Sequence, residues 1–405
     1  MNLVRESLLQ CLGSALCGKA YADPCFDEEQ WNSFLRLSAE QEIFSLIFHA
    51  VSGFSSLSAL PVDRKLLFRQ QTLDRFCSQV RQTNEFLTLV QHMQAAGLDT
   101  IVLKGILCRS LYPIPSLRPS VDEDLLVPPE EAERYHRFLL SEGMFCDDPA
   151  ADPAAAEELS YHRENSPLYI ELHKSLFPMD AEAYSDLNAL FRGAEDRAVR
   201  VQVEDLILRA LAPGDHLLFL LCHAYKHLLH GGVGIRQVAD MALLANAHLD
   251  EINWEDLAAR CRQAGLETFA AALFRIAVRH LTLREIPAPF ASLEVDVDPL
   301  LEDILSDGVY GMEDEDRAHS GRITLEAVAA AKQGREERGI WHSLFPGKSY
   351  LQTNYPYARK YPVLVPVAWA NRLLLYVLRR KGDPGKSIQI GRERVELLRK
   401  YKIIP

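Results

Sequence analysis

The hydrophobic period of this chain changes twice, and that limits its fold more than any other feature. Up to about residue 98 the apolar residues recur at helical spacing. They run loosely as Leu35, Phe44, Leu46, Ile47 and Val51 around Ala39–Val51. A longer pattern follows from Arg64 to Ala96, with Leu66, Leu67, Leu73, Phe76, Val80, Phe86, Leu87, Val90 and Met93, and Gly97 is the expected stop. From Asp99 the pattern shortens to β-rich runs at Thr100–Leu103, Asp122–Val127, Tyr161–Arg163 and Leu168–His173. Between them Gly105–Tyr112 reads as a helix ended by Pro113 and Pro115, and Pro129–Glu142 as one with proline early in its first turn. From Pro213 helical spacing returns, over His216–His230, Val233–His248, Trp254–Ala264 and Leu266–Leu281. This order predicts an α+β chain with a small mixed β-sheet core flanked by N-terminal and C-terminal helical regions. The expected division is a helical cap (1–98), the α/β core (99–212), a helical domain lining a cleft (213–290), an acidic linker and helix (291–340) and a helical tail (341–405).

Bulk properties exclude several classes. The 405 residues suffice for well-buried cores. A net charge of −12 argues against a general DNA binder, because its field repels phosphate backbones. Eight cysteines without a C-x-x-C pair read as reduced, buried thiols of a cytoplasmic protein. Met1–Leu16 interrupts its apolar residues with Arg5, Glu6, Gln10 and Ser14, unlike a signal peptide. The most apolar segment, Val363–Leu378, contains Pro366, Asn371 and Arg372 and is too short to span a bilayer, so no membrane span is expected. Glu294–Asp316 holds ten acidic residues and no Lys or Arg, and reads as a solvated linker. Arg372–Pro405 carries ten basic and three acidic residues. It reads as an exposed amphipathic helix, with folding back onto an acidic or phosphate-binding surface as the alternative.

The chemistry concentrates in the β-rich segment. Side chains of a strand alternate, so Asp122 and Asp124 share a face, ahead of the apolar run Leu125-Leu126-Val127. Two carboxylates on one face suit Mg²⁺, a hard cation that takes one or two of them plus phosphate oxygens and water. Glu171 offers a third carboxylate, on a face shared with Tyr169 and His173, while Leu168, Ile170 and Leu172 face the other way. Such a group can complete a second metal site or take a proton from an incoming hydroxyl. In Leu103-Lys104-Gly105 the glycine lets the backbone approach a phosphate, and Lys104 and Arg118 would neutralise a triphosphate.

The set Val102-Leu103-Lys104-Gly105, Leu111-Tyr112-Pro113-x-Pro115, Arg118, Asp122-x-Asp124-Leu125-Leu126-Val127 and Ile170-Glu171-Leu172-His173 resembles the bacterial nucleotidyltransferase-like family of the DNA-polymerase-beta-like superfamily. The motifs span roughly residues 99 to 245, with Leu344-Phe345-Pro346 a more general likeness. The resemblance implies a nucleotidyltransferase core that moves a nucleoside monophosphate from an NTP, with Mg²⁺, to a hydroxyl of an acceptor: a small molecule, a protein or an RNA end. It implies Asp122, Asp124 and Glu171 as metal-binding and catalytic residues, and Lys104, Gly105 and Arg118 as the nucleotide-binding set. Three departures stand out. The superfamily usually has Gly-Ser or Gly-Gly where this chain has Lys104-Gly105, a shorter spacing than the sixteen residues between Gly105 and Asp122, and an apolar residue where it has Glu123. A charge at 123 would fall on the packed face of the strand.

Further on, His216, His223, His227 and His230 share a helical face, and Arg236 and Asp240 another. The histidines read as a hydrogen-bonding stripe or as lining a substrate cleft beside the α/β core; the resemblance favours the cleft for His223 and Asp240, and His173 is a further candidate there. Two other readings stand beside nucleotidyl transfer. One is a non-catalytic nucleotide- or partner-binding module of the same fold. The other is a zinc hydrolase on His223 and His227, which lack the glutamate of H-E-x-x-H.

Overall fold

The computed structural model describes residues 2–307, 315–334, 361–369 and 384–405, together with 357 and 371. Four helices come first: α1 (Leu3–Leu16), α2 (Glu28–Glu40), α3 (Phe44–Val51) and the long α4 (Val62–Ala95). The pattern read as one helix around Ala39–Val51 is broken at a corner, because Glu42 adopts φ 53° and the Ile43 amide closes back on the Ser38 carbonyl. The corner is anchored at a distance. Gln41, fully buried, donates to the Ile304 carbonyl and accepts from the Ile235 amide. α4 stops as expected: Gly97 has φ 70°, and the Leu98 and Gly97 amides bond the Met93 and Gln94 carbonyls.

The β-rich segment and its sequel build one mixed sheet of seven strands, larger than the four runs read from sequence. They are β1 (Ile101–Val102), β2 (Glu123–Leu126), β3 (Phe145–Cys146), β4 (Glu158–His162), β5 (Tyr169–His173), β6 (Val199–Val203) and β7 (Leu206–Ala210). Their spatial order is β3-β4-β5-β2-β1-β7-β6, with β2–β5 and β1–β7 parallel and the other pairs antiparallel. The short α5 (Ile106–Arg109) follows β1, and a 3-10 turn at Pro129–Glu131 leads into α6 (Ala132–Ser141).

Alternation along the strands gives the sheet two cores. Val102, Leu125, Val127, Ile170 and Leu172 pack with Phe86, Leu89 and Met93 of α4 and Tyr135 and Leu139 of α6. Ile101, Leu103 and Leu126 belong to the other core, shared with the N-terminal helices and with α7 (Pro213–His230), α8 (Ile235–Ala247), α9 (Trp254–Gln263) and α10 (Glu267–His280). The four helices after Pro213 thus lie close to where their periodicity put them.

Two later expectations need correction. Within the acidic stretch, α12 (Asp298–Asp307) follows the short α11 (Ala288–Ala291). Its Leu300, Leu301, Ile304 and Leu305 are buried, so this part of the stretch is a packed helix and not a solvated linker. The C-terminal helix, Pro384–Lys400, is likewise no exposed element. Leu398 and Tyr401 are buried, Lys400 pairs with Asp296 at 2.7 Å, and buried Arg394 donates to the Leu228 carbonyl at the end of α7. α13 (Glu315–Lys332) crosses the same end of α7, where a methyl group on Gly321 would lie 1.9 Å from the His230 carbonyl oxygen. Leu344-Phe345-Pro346 and half of Val363–Leu378 (370 and 372–378) lie outside the described residues.

All eight cysteines are free, but the expectation that they are buried fails for Cys17, Cys25 and Cys77. The first two lie beyond the end of α1 and the third on the solvent side of α4. Among the described residues no helix is long and apolar enough to cross a membrane.

Candidate active site

β2 carries three consecutive carboxylates around its start, and the pleat sends them to different fates. Glu123 points to the α4 side and is fully buried. Arg109 of α5 donates to its Oε1, Gln82 of α4 donates to the same oxygen at 3.2 Å, and the Ile106 amide donates to Oε2 at 2.8 Å. Burial raises the pKa of this carboxyl, and Arg109 pulls against that rise. The charge that looked awkward in a packed sheet is therefore a paired and hydrogen-bonded one beneath the loop.

The same contact explains Gly105. It has φ 60°, and a methyl group there would stand 2.1 Å from Glu123 Oε2. The glycine makes room for a carboxylate that ties β1, the loop and α5 to β2.

On the opposite face Asp124 is 2% exposed and faces Glu171 in the parallel β2–β5 register, where Leu126 faces His173. Asp124 Oδ1 lies 3.1 Å from His173 Nε2 and 3.0 Å from Lys104 Nζ. Lys104 Nζ also lies 3.4 Å from Asp122 Oδ2. Asp124 Oδ2 is buried without a hydrogen-bond partner. His173 reaches further, with Nε2 3.5 Å from Glu171 Oε2 and Nδ1 3.3 Å from Glu158 Oε2. Among the described residues, Asp124, Glu171 and His173 form the one group whose ligand atoms converge as a metal needs, all within 4.8 Å of one another.

The charges tune one another. Burial would lift the Asp124 pKa, but Lys104 and His173 overcome it and hold the carboxyl below its ordinary range. Burial would lower the His173 pKa, yet its bonds to Asp124 and Glu171 raise it to about 9. Burial raises Glu171, with Asp124 and Asp122 adding to the effect and His173 opposing it.

A second compartment adjoins the loop on the α7–α8 side. Arg118 makes a bidentate pair with Asp240 of α8, at 2.9 and 2.6 Å, and Tyr112 donates to the same carboxylate at 2.8 Å. Arg118 Nη1 is buried and has no hydrogen-bond partner. Lys104, Gly105, Arg118, Asp122, His223 and Asp240 all line this cavity, which holds about 30 Å³. That is room for a water or two and not for a nucleotide. The side chains of Asp122 and Glu171 keep about a quarter of their exposure.

The histidine stripe of α7 serves this region along its length. His216 hydrogen-bonds the backbone of Leu103, and burial drives its pKa down to about 4. His223 lines the cavity with its Nε2 3.3 Å from that of His227, and His230 meets the Tyr184 hydroxyl at 3.0 Å. Burial, with Lys104 nearby, keeps His223 and His227 far below the ordinary histidine pKa. No third metal donor joins this pair among the described residues.

Sequence reasoning missed Arg109, Gln82 and Glu158. The first two carry no local signal, since each is one polar residue on a helix. Glu158 had one: Glu158-Leu159-Ser160-Tyr161 alternates, and extending the run read at Tyr161 backwards would have placed Glu158 in a strand, which the fold then sets opposite His173.

No curated protein and no solved structure matches the chain. A family model does, over residues 27–282, from the first turn of α2 to the end of α10, and its family is described as uncharacterised nucleotidyltransferases. The match covers more than half of the chain and both walls of the carboxylate site, and the protein therefore belongs to that nucleotidyltransferase family.

Proposed function

We propose that this protein transfers a nucleoside monophosphate from an NTP to a hydroxyl of an acceptor: a small molecule, a protein or an RNA end. The observation that carries the reading is the convergence of Asp124, Glu171 and His173 beside the Lys104–Gly105 loop. Family membership supports the reaction class.

The residues fit a divalent cation, because buried Asp124 Oδ2 lacks a partner and Glu171 stands beside it. Asp124 and Glu171 would hold the ion, with Asp122 beside them across Lys104. Bound there, it would draw charge from the α-phosphate as pyrophosphate leaves.

The chain's own groups do the rest. The acceptor oxygen forms a bond to the α-phosphorus, the bond to pyrophosphate breaks, and Glu171 receives the hydroxyl proton. A carboxyl whose pKa is lifted by burial suits that task. Lys104, now held by two aspartates, offers its ammonium to the phosphates, and Arg118 adds its positive charge from the adjoining compartment. Gly105 keeps the loop backbone close to them. The triphosphate approaches along the solvent side of the sheet, since the cavity toward His223 and Asp240 is too small for it.

A transfer screen with each of the four labelled NTPs, against small metabolites, proteins and RNA, tests the reading. Metal-dependent label transfer that Asp122→Ala abolishes supports it. Undiminished transfer by that variant overturns the site, and NTP binding without transfer identifies a binding module instead.

A further inference from the structure

The superfamily pattern would place a cation between Asp122 and Asp124, but in this chain Lys104 Nζ already bridges the two aspartates at 3.4 and 3.0 Å. The remaining donors lie toward β5. His173 Nε2 is 3.1 Å from Asp124 Oδ1 and 3.5 Å from Glu171 Oε2. Its other ring nitrogen, Nδ1, is 3.3 Å from Glu158 Oε2. A carboxylate on the far nitrogen is what fixes the tautomer and the ring orientation of a metal-ligating histidine. The register makes this arrangement intrinsic to the sheet, for Glu158 faces His173 across β4–β5 and Asp124 faces Glu171 across β2–β5. Independently, Asp124 Oδ2 is a buried acceptor with nothing to accept from. A buried oxygen of this kind is costly unless a ligand completes it.

We infer that His173 is a metal ligand, and that Asp124, Glu171 and His173, with Glu158 behind the ring, form a mixed nitrogen–oxygen centre selecting a first-row transition ion such as Mn²⁺ over Mg²⁺. The inference rests on the nucleotidyl-transfer reading for what the ion is used for, but not for where it binds. Mg²⁺ prefers an all-oxygen shell and sheds water reluctantly, whereas an imidazole nitrogen suits softer divalent ions. A cation at this place replaces the proton through which His173 Nε2 now meets the two carboxylates, and it leaves Lys104 free to stay on Asp122.

The test uses the full chain without nucleotide. Mn²⁺ is titrated while the signal of the free aquo ion is followed by electron paramagnetic resonance, and Mg²⁺ affinity is read by competition. The wild type is expected to bind Mn²⁺ at least about tenfold more tightly than Mg²⁺. Pulsed resonance on the Mn²⁺-loaded wild type shows coupling to a ¹⁴N nucleus, and His173→Gln removes it. His173→Gln and Glu158→Gln each weaken Mn²⁺ about tenfold or more, and His173→Gln leaves Mg²⁺ within about twofold.

Absence of nitrogen coupling in the loaded wild type, a measurement that needs no variant, overturns the inference. So does Mn²⁺ binding that survives His173→Gln and is lost in Asp122→Asn, which puts the ion between the aspartates. The labelled-NTP assay on the same samples separates the two claims. Transfer at a site without nitrogen coupling sinks the inference alone, and nitrogen-coupled Mn²⁺ with neither NTP binding nor transfer sinks the functional reading alone.

Discussion

The two faces of β2 hold adjacent carboxylates in nearly equal burial and opposite states of completion. Glu123, toward α4, has an arginine, a glutamine and a backbone amide on its two oxygens. Asp124, one residue on, puts a lysine and a histidine on one oxygen and leaves the other with none. A buried charge with all its partners belongs to the scaffold. A buried carboxylate oxygen left short of a partner, beside ligand atoms that converge on it, marks the place where something else binds.

The largest expected effect falls on the incomplete side. Asp124→Asn should lower the transfer rate by at least about a thousandfold, or ~4 kcal/mol of transition-state stabilisation, with a thermal midpoint within a few degrees of wild type. Single-turnover transfer and a melting curve on one sample check both halves; a large fall in the midpoint would make Asp124 scaffold as well.

Glu123→Gln should show the reverse. It leaves Arg109 buried without a counter-charge, and the cost should be about 3 kcal/mol in urea unfolding. Transfer per folded molecule should stay close to wild type. Replacing both partners with apolar residues, Arg109→Met with Glu123→Leu, should recover much of that loss.

Gly105→Ala sharpens the same contrast. A positive φ and a methyl group against Glu123 Oε2 should cost about 2 kcal/mol. Combining it with Glu123→Ala should be strongly non-additive, because the shorter side chain removes the clash, and a double-mutant cycle reads the coupling. Additive costs would mean that backbone strain alone demands the glycine.

The smallest effect concerns His216, which supports the loop from α7. Its folded pKa of about 4 lies below the ordinary 6.5, so the unfolded chain binds the proton more readily. Its share of stability is complete above pH 6.5 and is lost as the pH falls toward 4. By pH 5 the loss should reach about 2 kcal/mol. His216→Gln should flatten this slope in urea midpoints between pH 6.5 and 5, and an unchanged slope would assign the acid sensitivity elsewhere.

What the sequence disclosed, and what it hid, divides along the same strand. Period-2 alternation was enough to put Asp122 with Asp124 and Glu171 with His173, since facing is a local property of extended backbone. It did not say which strands are neighbours, so Glu158 behind His173 went unnoticed. The hairpin β6–β7 was overlooked although Val199, Val201 and Val203 alternate up to the Glu204-Asp205 turn, because its strands are mixed in polarity. Glu123 was misjudged for a physical reason: a charge in a packed strand looks wrong until its partners appear, and Arg109 and Gln82 stand on elements that only folding brings beneath it. The acidic helix α12 was hidden by its composition, its four buried apolar residues being matched by four acidic ones and flanked by six more in Glu294–Asp316.

Asp124 and His173 lie 49 positions apart in the chain, and only the parallel alignment of β2 with β5 brings them together. A crossover of that length closes slowly compared with the helices on either side, so this pairing is expected late in folding. Nascent or partly unravelled chains would then display the loop and the aspartates yet lack any capacity to capture an ion. Ion uptake would thus report that this long-range strand pairing has formed, and a half-made enzyme would stay inert.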